Sequence, residues 1–175
     1  TGTYIFREKE SIKRRYFEDT PFKALLSMLK SEVKGNKIGI DLKYLSNFVV
    51  ENIKETLKGN YEMQDITGLI YKLRAIKDKE EIERFKKAAE INSKAINYAI
   101  KNLYIGITEQ EIHSIILTKM LQEGADEWLQ TTVAVGKQNG HDIYNQPTDK
   151  KVEKGDVIRF DTTAVYKGYI SDNSK

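Results

Sequence analysis

Cysteine is absent from all 175 positions. Disulfides and thiolate-bound metals are therefore excluded, and any metal has to be held by carboxylates and histidine. The same absence makes the cytoplasm the expected compartment. No run of 18 apolar residues occurs, so no membrane-spanning helix is expected. The opening residues, Thr1 to Arg7, lack the layout of a signal peptide. Neither charge sign dominates: 29 Lys and Arg against 26 Asp and Glu leave +3, too balanced to argue for a nucleic-acid partner. The Lys13-Arg14-Arg15 cluster reads as solvated surface, because no second cluster extends it. Internal repeats and low-complexity segments are absent too. What is present suits a globular protein with a real core: 39% hydrophobic residues, 31% charged, ten Tyr and six Phe. The length allows one large domain or two small ones.

Thr3-Tyr4-Ile5-Phe6 reads as a strand with no leading turn or cap, as if the chain begins inside a domain. Pro21 to Lys34 has helical spacing, with Phe22, Leu25, Leu26 and Leu29 on one face, and Gly35-Asn36 ends it. Ile38-Gly39-Ile40 is a short buried strand. A second helix is expected over Tyr44 to Leu57, with Leu45, Phe48, Val49, Ile53 and Leu57 inward. This alternation predicts an α/β unit. The pattern changes between residues 72 and 78. Asp78 with Glu81, and Thr108 with Glu111, form two capping boxes, and Ile107 and Ile112 flank the second as a hydrophobic staple. The first box opens a long helix to about Leu103, whose expected inner stripe is Ile82, Phe85, Ala89, Ile96, Ala99 and Leu103. The second opens a helix ending near Gly124. Strands follow over Leu129 to Val135, Val157 to Tyr166 and from Tyr169 to Asp172, with a polar loop over Gly136 to Asp149.

The chemistry concentrates at the end. Lys167-Gly168 is a plausible two-residue hairpin turn. Any two-residue hairpin pairs positions whose numbers sum to an odd value, so Asp161 and Asp172 share one face. They are diagonal neighbours if Lys167-Gly168 is the loop, and directly opposite if Tyr166-Lys167 is. Two carboxylates on one face repel unless a cation compensates, and a pair of divalent metals about 3.5–4 Å apart is a standard hydrolytic arrangement. A solvent-facing hairpin that merely carries acids is the other reading.

Several stretches together resemble the pita-bread metallopeptidases of the Xaa-Pro peptidase kind, prolidase and aminopeptidase P. Pro147-Thr148-Asp149-Lys150-Lys151 is similar to that family's Pro-Thr-Asp-Arg-Lys turn, and Gly155-Asp156 to its lead-in to the metal strand. Asp161 and Asp172 have the eleven-residue offset of its first two Asp ligands. Leu73 to Ile91 looks like its inter-domain boundary and first helix, and Gly106-Ile107-Thr108-Glu109 like the start of its second. The resemblance covers residues 70 to 175; earlier residues are compatible with the family's small N-terminal domain. It implies an α/β N-terminal part followed by the start of an α+β pita-bread (creatinase/aminopeptidase-like) domain. Residues 1–75 would belong to the creatinase/prolidase-like N-terminal domain, and 76–175 to the first part of the catalytic domain.

The implied activity is hydrolysis of peptide bonds next to proline by two divalent metals, manganese or cobalt, with Asp161 chelating one and Asp172 bridging both. The implied substrate is a peptide with proline in second position, and the implied assembly a homodimer, without nucleic acid or membrane. Three departures stand out. Thr163 occupies a position that is usually Gly in the family. Tyr144 stands where its loop His is expected, three residues before Pro147, as a substrate-binding candidate; His141 either takes that His's catalytic role through a longer loop or is an ordinary loop residue. His113 reads as structural or exposed. The family's remaining ligands, one His and two Glu, would come after Lys175, so this stretch alone is expected to be catalytically silent. Two other readings are a creatinase-type amidinohydrolase, which Asp161 and Asp172 oppose, and a non-catalytic binding module, which Tyr144 and Thr163 favour.

Overall fold

A computed structural model of the chain describes residues 2–8, 11–17, 21–32, 35–57, 61–139 and 146–175. It divides into two compact units, Thr1–Ile76 and Lys77–Lys175, each with its own sheets.

In the first unit, β1 (Gly2–Glu8) and β2 (Ser11–Phe17) form an antiparallel pair running from Gly2↔Phe17 to Glu8↔Ser11. After α1 (Pro21–Glu32), β3 (Lys37–Ile40) and β4 (Glu62–Asp65) pair in parallel, joined through α2 (Asn47–Leu57). A parallel pair needs such a crossover, and α2 lays its apolar face on the strands. The small core is Ile40, Ile53 and Leu57, with Leu26, Leu29, Ile38, Val49, Tyr61 and Met63 packed around it. The helix starts later than its sequence suggests and faces in through Val50, Ile53 and Leu57. Leu45 and Phe48 are exposed, contrary to the expected inner face. Tyr44 and Leu45 fall in turns before the helix, and the Phe48 ring packs instead on Phe22, 5.5 Å between centroids. The short α3 (Thr67–Ala75) buries none of its residues.

The second unit packs two helices on a three-stranded antiparallel sheet. Both capping boxes are complete. Asp78 accepts from the Glu81 N–H while Glu81 accepts from the Asp78 N–H, opening α4 (Lys79–Lys101). Thr108 and Glu111 repeat this for α5 (Glu109–Gln122). Ile107 and Ile112 are both fully buried, as a staple requires. The sheet order is β5 (Thr131–Val135), β6 (Ile158–Tyr166), β7 (Tyr169–Ser174), with the single turn α6 (Gly136–Asn139) following β5. One core joins Ile91, Ala95, Ile96 and Ala99 of α4, Ile112, Ile116 and Met120 of α5, and Val133, Val135, Phe160 and Ala164 of the sheet. The inner stripe of α4 is Ala88, Ile91, Asn92, Ala95, Ile96 and Ala99. Ile82 and Ala89, expected inward, are exposed. Small residues set the phase: alanines at 88, 95 and 99 let the helix backbone approach the sheet closely, so that the Ser171 hydroxyl reaches the Ala88 carbonyl at 3.1 Å.

Gly39 shows how tightly the parallel pair is built against its flank. A Cβ there would meet Ile66 Cγ2 at 2.8 Å and Cδ1 at 2.9 Å. Ile66 is β-branched and stiff at χ1, so the clash is not relieved by a simple swing. Gly39→Ala should lower the stability of this unit by about 1–3 kcal/mol, measured as urea unfolding followed through exchange of the Ile40 and Ile53 amides. In an Ile66→Ala background most of that loss should vanish, because Cγ2 and Cδ1 are gone.

Candidate metal site

The hairpin between β6 and β7 turns at Lys167 and Gly168, with Tyr166 opposite Tyr169. Both turn residues have positive φ, 48° and 79°, the signature of a type I′ turn, whose twist matches the strands. Lys167 is strained by this, and the bond from its N–H to the Asp126 carboxylate helps to hold it. The resulting register puts Thr163 opposite Asp172 and Asp161 opposite Ser174. Asp161 and Asp172 are therefore diagonal neighbours on one face, the arrangement that follows from the Lys167-Gly168 loop.

The opposite face of these strands packs on the helices through Phe160, Thr162, Ala164 and Ser171, all buried. Asp161 is half-buried and Asp172 exposed. The Ser174 hydroxyl donates to Asp161 Oδ1 at 3.1 Å. Diagonal sheet neighbours lie about 7–8 Å apart, close enough for both carboxylates to serve one divalent-metal centre. The donor set, two carboxylates and no thiol, suits hard divalent ions. It fits part of such a centre: among the described residues no group of three His, Cys, Asp or Glu side chains gathers anywhere.

His141 and Tyr144 lie outside the described residues. Among the described residues, Glu109, in the sequence one acid among several at the start of α5, ties Val135 to Thr148. Glu109 is fully buried in the first turn of α5. Its Oε1 accepts from the Val135 N–H at 2.7 Å, and its Oε2 from the Thr148 N–H at 2.9 Å and the Thr148 hydroxyl at 2.7 Å. The helix N-terminus adds a favourable field for the carboxylate. His113 is on α5, apart from the Asp pair in role, and is half-buried. Burial, partly opposed by the Thr131 backbone, lowers its pKa from the usual 6.5.

Residues 83–175 match the model of metallopeptidase family M24, and residues 4–76 that of the creatinase/prolidase N-terminal domain. The chain is 36% identical over 129 residues to the Xaa-Pro dipeptidase of Pyrococcus furiosus, covering 73% of this chain and 36% of that protein. Among solved structures it is similar to the prolidase from Pyrococcus furiosus, with a TM-score of 0.76 at 32% identity over 95% of this chain and 51% of that one. It is likewise similar to the X-Pro aminopeptidase from Thermotoga maritima, with a TM-score of 0.78 at 28% identity over 88% and 43%. The chain thus has the pita-bread fold of these proteins and spans about half their length or less.

Two measurements check the polar anchoring. Glu109→Gln puts an amide donor against groups that already donate, and should lower stability by roughly 1.5–3 kcal/mol, seen as a shift of the urea midpoint. The exposed Glu111→Gln should shift it far less. Burial disfavours the charged form of His113 in the folded state, so the folded chain binds fewer protons than the unfolded one just below pH 6.5. Its contribution is present above that pH and is lost on acidification through the lowered folded value. Between pH 7 and pH 5.5 the wild-type Tm should fall more than that of His113→Gln.

Proposed function

The chain belongs to metallopeptidase family M24, preceded by a creatinase/prolidase N-terminal domain; on that premise we propose that the whole protein is a two-metal Xaa-Pro peptidase. The observation that carries this reading is the hairpin register, which brings Asp161 and Asp172 to one face. Asp161 and Asp172 would hold the divalent ions, manganese or cobalt, together with ligands from the rest of the protein. The chemistry such a pair supplies when bound is acidification of water and polarisation of a peptide carbonyl. Ser174 orients the Asp161 carboxylate through its hydroxyl. His141 supplies the proton donor or acid of the loop, since an imidazole titrates near neutrality and a phenol does not. We assign Tyr144 to substrate binding, the substrate being a peptide with proline in second position. The protein works in the cytoplasm as a homodimer.

Because the described residues gather only two ligands, the 175-residue chain by itself should bind manganese weakly and cleave nothing. Calorimetry with manganese and a Xaa-Pro dipeptide assay test this. Micromolar or tighter binding, or turnover abolished by Asp161→Ala, would mean that the chain builds its site in another way. In the full-length protein, Asp161→Asn should abolish cleavage and His141→Ala should slow it about a hundredfold, while Tyr144→Phe should matter little. A crippling Tyr144→Phe with a harmless His141→Ala would exchange the two roles. A full-length protein that binds Xaa-Pro peptides without cleaving them would be a binding module instead.

A further inference from the structure

The edge of β6 next to the Asp pair is not a regular ladder. The residue pairs Thr131↔Thr162 and Glu127↔Val165 enclose three residues on one side, Trp128 to Gln130, and two on the other, Thr163 and Ala164. This is a β-bulge, and a bulge leaves its extra residue without a ladder partner. Backbone bonds resume on either side: Thr163 N–H donates to the Gln130 carbonyl at 3.1 Å and Val165 N–H to the Glu127 carbonyl at 2.9 Å. The odd donor is Leu129. Its N–H goes to the Thr163 hydroxyl at 3.1 Å, and that hydroxyl donates onward to the Gln130 carbonyl at 2.7 Å. One side chain therefore closes the bulge with both its donor and its acceptor capacity.

Thr163 is also placed among the metal carboxylates. It lies opposite Asp172 on β7, two residues from Asp161, on the same face as both. The bulge flanks it on its other side and contains Trp128 and Leu129, 39% and 55% exposed. Two strand spacings separate the bulged segment from Asp172, roughly 10 Å, the length of about three extended residues. A short peptide laid across this face with a bond at the carboxylates would reach the Trp128–Leu129 rim. Bulges beside active sites commonly re-aim side chains in this way.

We propose that Thr163 is a positioning residue: its hydroxyl locks the bulge at Trp128–Gln130 and thereby fixes the apolar Trp128–Leu129 rim at a set distance from the Asp161/Asp172 pair, governing how a short peptide fits. The part concerning peptide fit rests on the peptidase reading; the lock itself does not. A Gly or Val at 163 has no hydroxyl to close the bulge, while Ser retains it.

The test compares Thr163→Val and Thr163→Ser. In the 175-residue chain, Thr163→Val should speed hydrogen exchange of the Leu129 amide at least tenfold. It should also raise acrylamide quenching of Trp128, which is the sole tryptophan. Exchange at Val133 and Phe160 should stay at wild-type values, showing that the sheet is intact, and Thr163→Ser should restore both signals. In the full-length protein, Thr163→Val should raise KM for a Xaa-Pro dipeptide about tenfold with kcat within twofold, and Thr163→Ser should rescue it. Unchanged Leu129 exchange overturns the lock. Faster exchange with unchanged KM, or a fall in kcat alone, overturns the role in peptide fit. A wild-type protein with no Xaa-Pro turnover sinks the peptidase reading separately, and the lock is then decided by exchange and quenching.

Discussion

Asn92 is fully buried on the face of α4 that meets the sheet, and its amide bonds to both strands of the hairpin. Its Nδ2 donates to the Thr162 carbonyl at 2.7 Å and to the Ser171 hydroxyl at 3.2 Å, while the Thr162 hydroxyl donates to its Oδ1. A buried amide that lost these partners would incur a large desolvation cost. Strand register is the property it protects. A slip of one residue turns every side chain to the other face, which would press Asp161 or Thr163 against the helix core and turn Thr162 outward. The shared face of Asp161 and Asp172 depends on Thr162 and Ser171 meeting Asn92.

Glu109 does the corresponding work one layer away. Where Asn92 joins a helix to β6 and β7, Glu109 joins the start of α5 to the end of β5 and to Thr148. Both groups are polar, both are fully buried, and both bond to backbone as well as to a hydroxyl. Apolar packing alone tolerates sliding, because one Ile contact resembles the next; directional bonds to particular N–H and C=O groups do not. The second unit therefore takes its cohesion from the Ile, Val and Ala core and its precision from these two residues.

This division explains what the sequence did and did not disclose. The capping boxes at Asp78 and Thr108 were legible because every bond in them spans three residues. The common face of Asp161 and Asp172 was legible because a two-residue turn decides it by parity. The phase of α4 was not: Ile82 and Ala89 fit a helical stripe as well as Ala88 and Asn92 do, and the choice is made by partners 70 or more residues away. Glu109 looked like one more acid at a helix start, since its donors lie 26 and 39 residues further on. β4 escaped notice because Glu62-Met63-Gln64-Asp65 has almost no apolar side chain to announce a strand; it pairs through its backbone with β3.

Thr163 belongs between these cases. As a sequence feature it is only a departure from a Gly in the pattern the chain resembles. In the fold it has the one hydroxyl placed to accept from Leu129 and donate to Gln130. A glycine there would leave the Leu129 N–H to solvent or to another partner, and the bulge would be held by backbone bonds at its ends alone. The two sides of the hairpin are thus built to different standards. Its back is fixed by a fully buried amide whose loss would disturb the register itself. Its edge is fixed by one partly exposed hydroxyl whose loss leaves the register intact. A substitution at 92 acts on whether the carboxylates share a face, whereas a substitution at 163 acts on what stands beside them, so position 163 is where the bulged edge can vary without dismantling the shared face of Asp161 and Asp172.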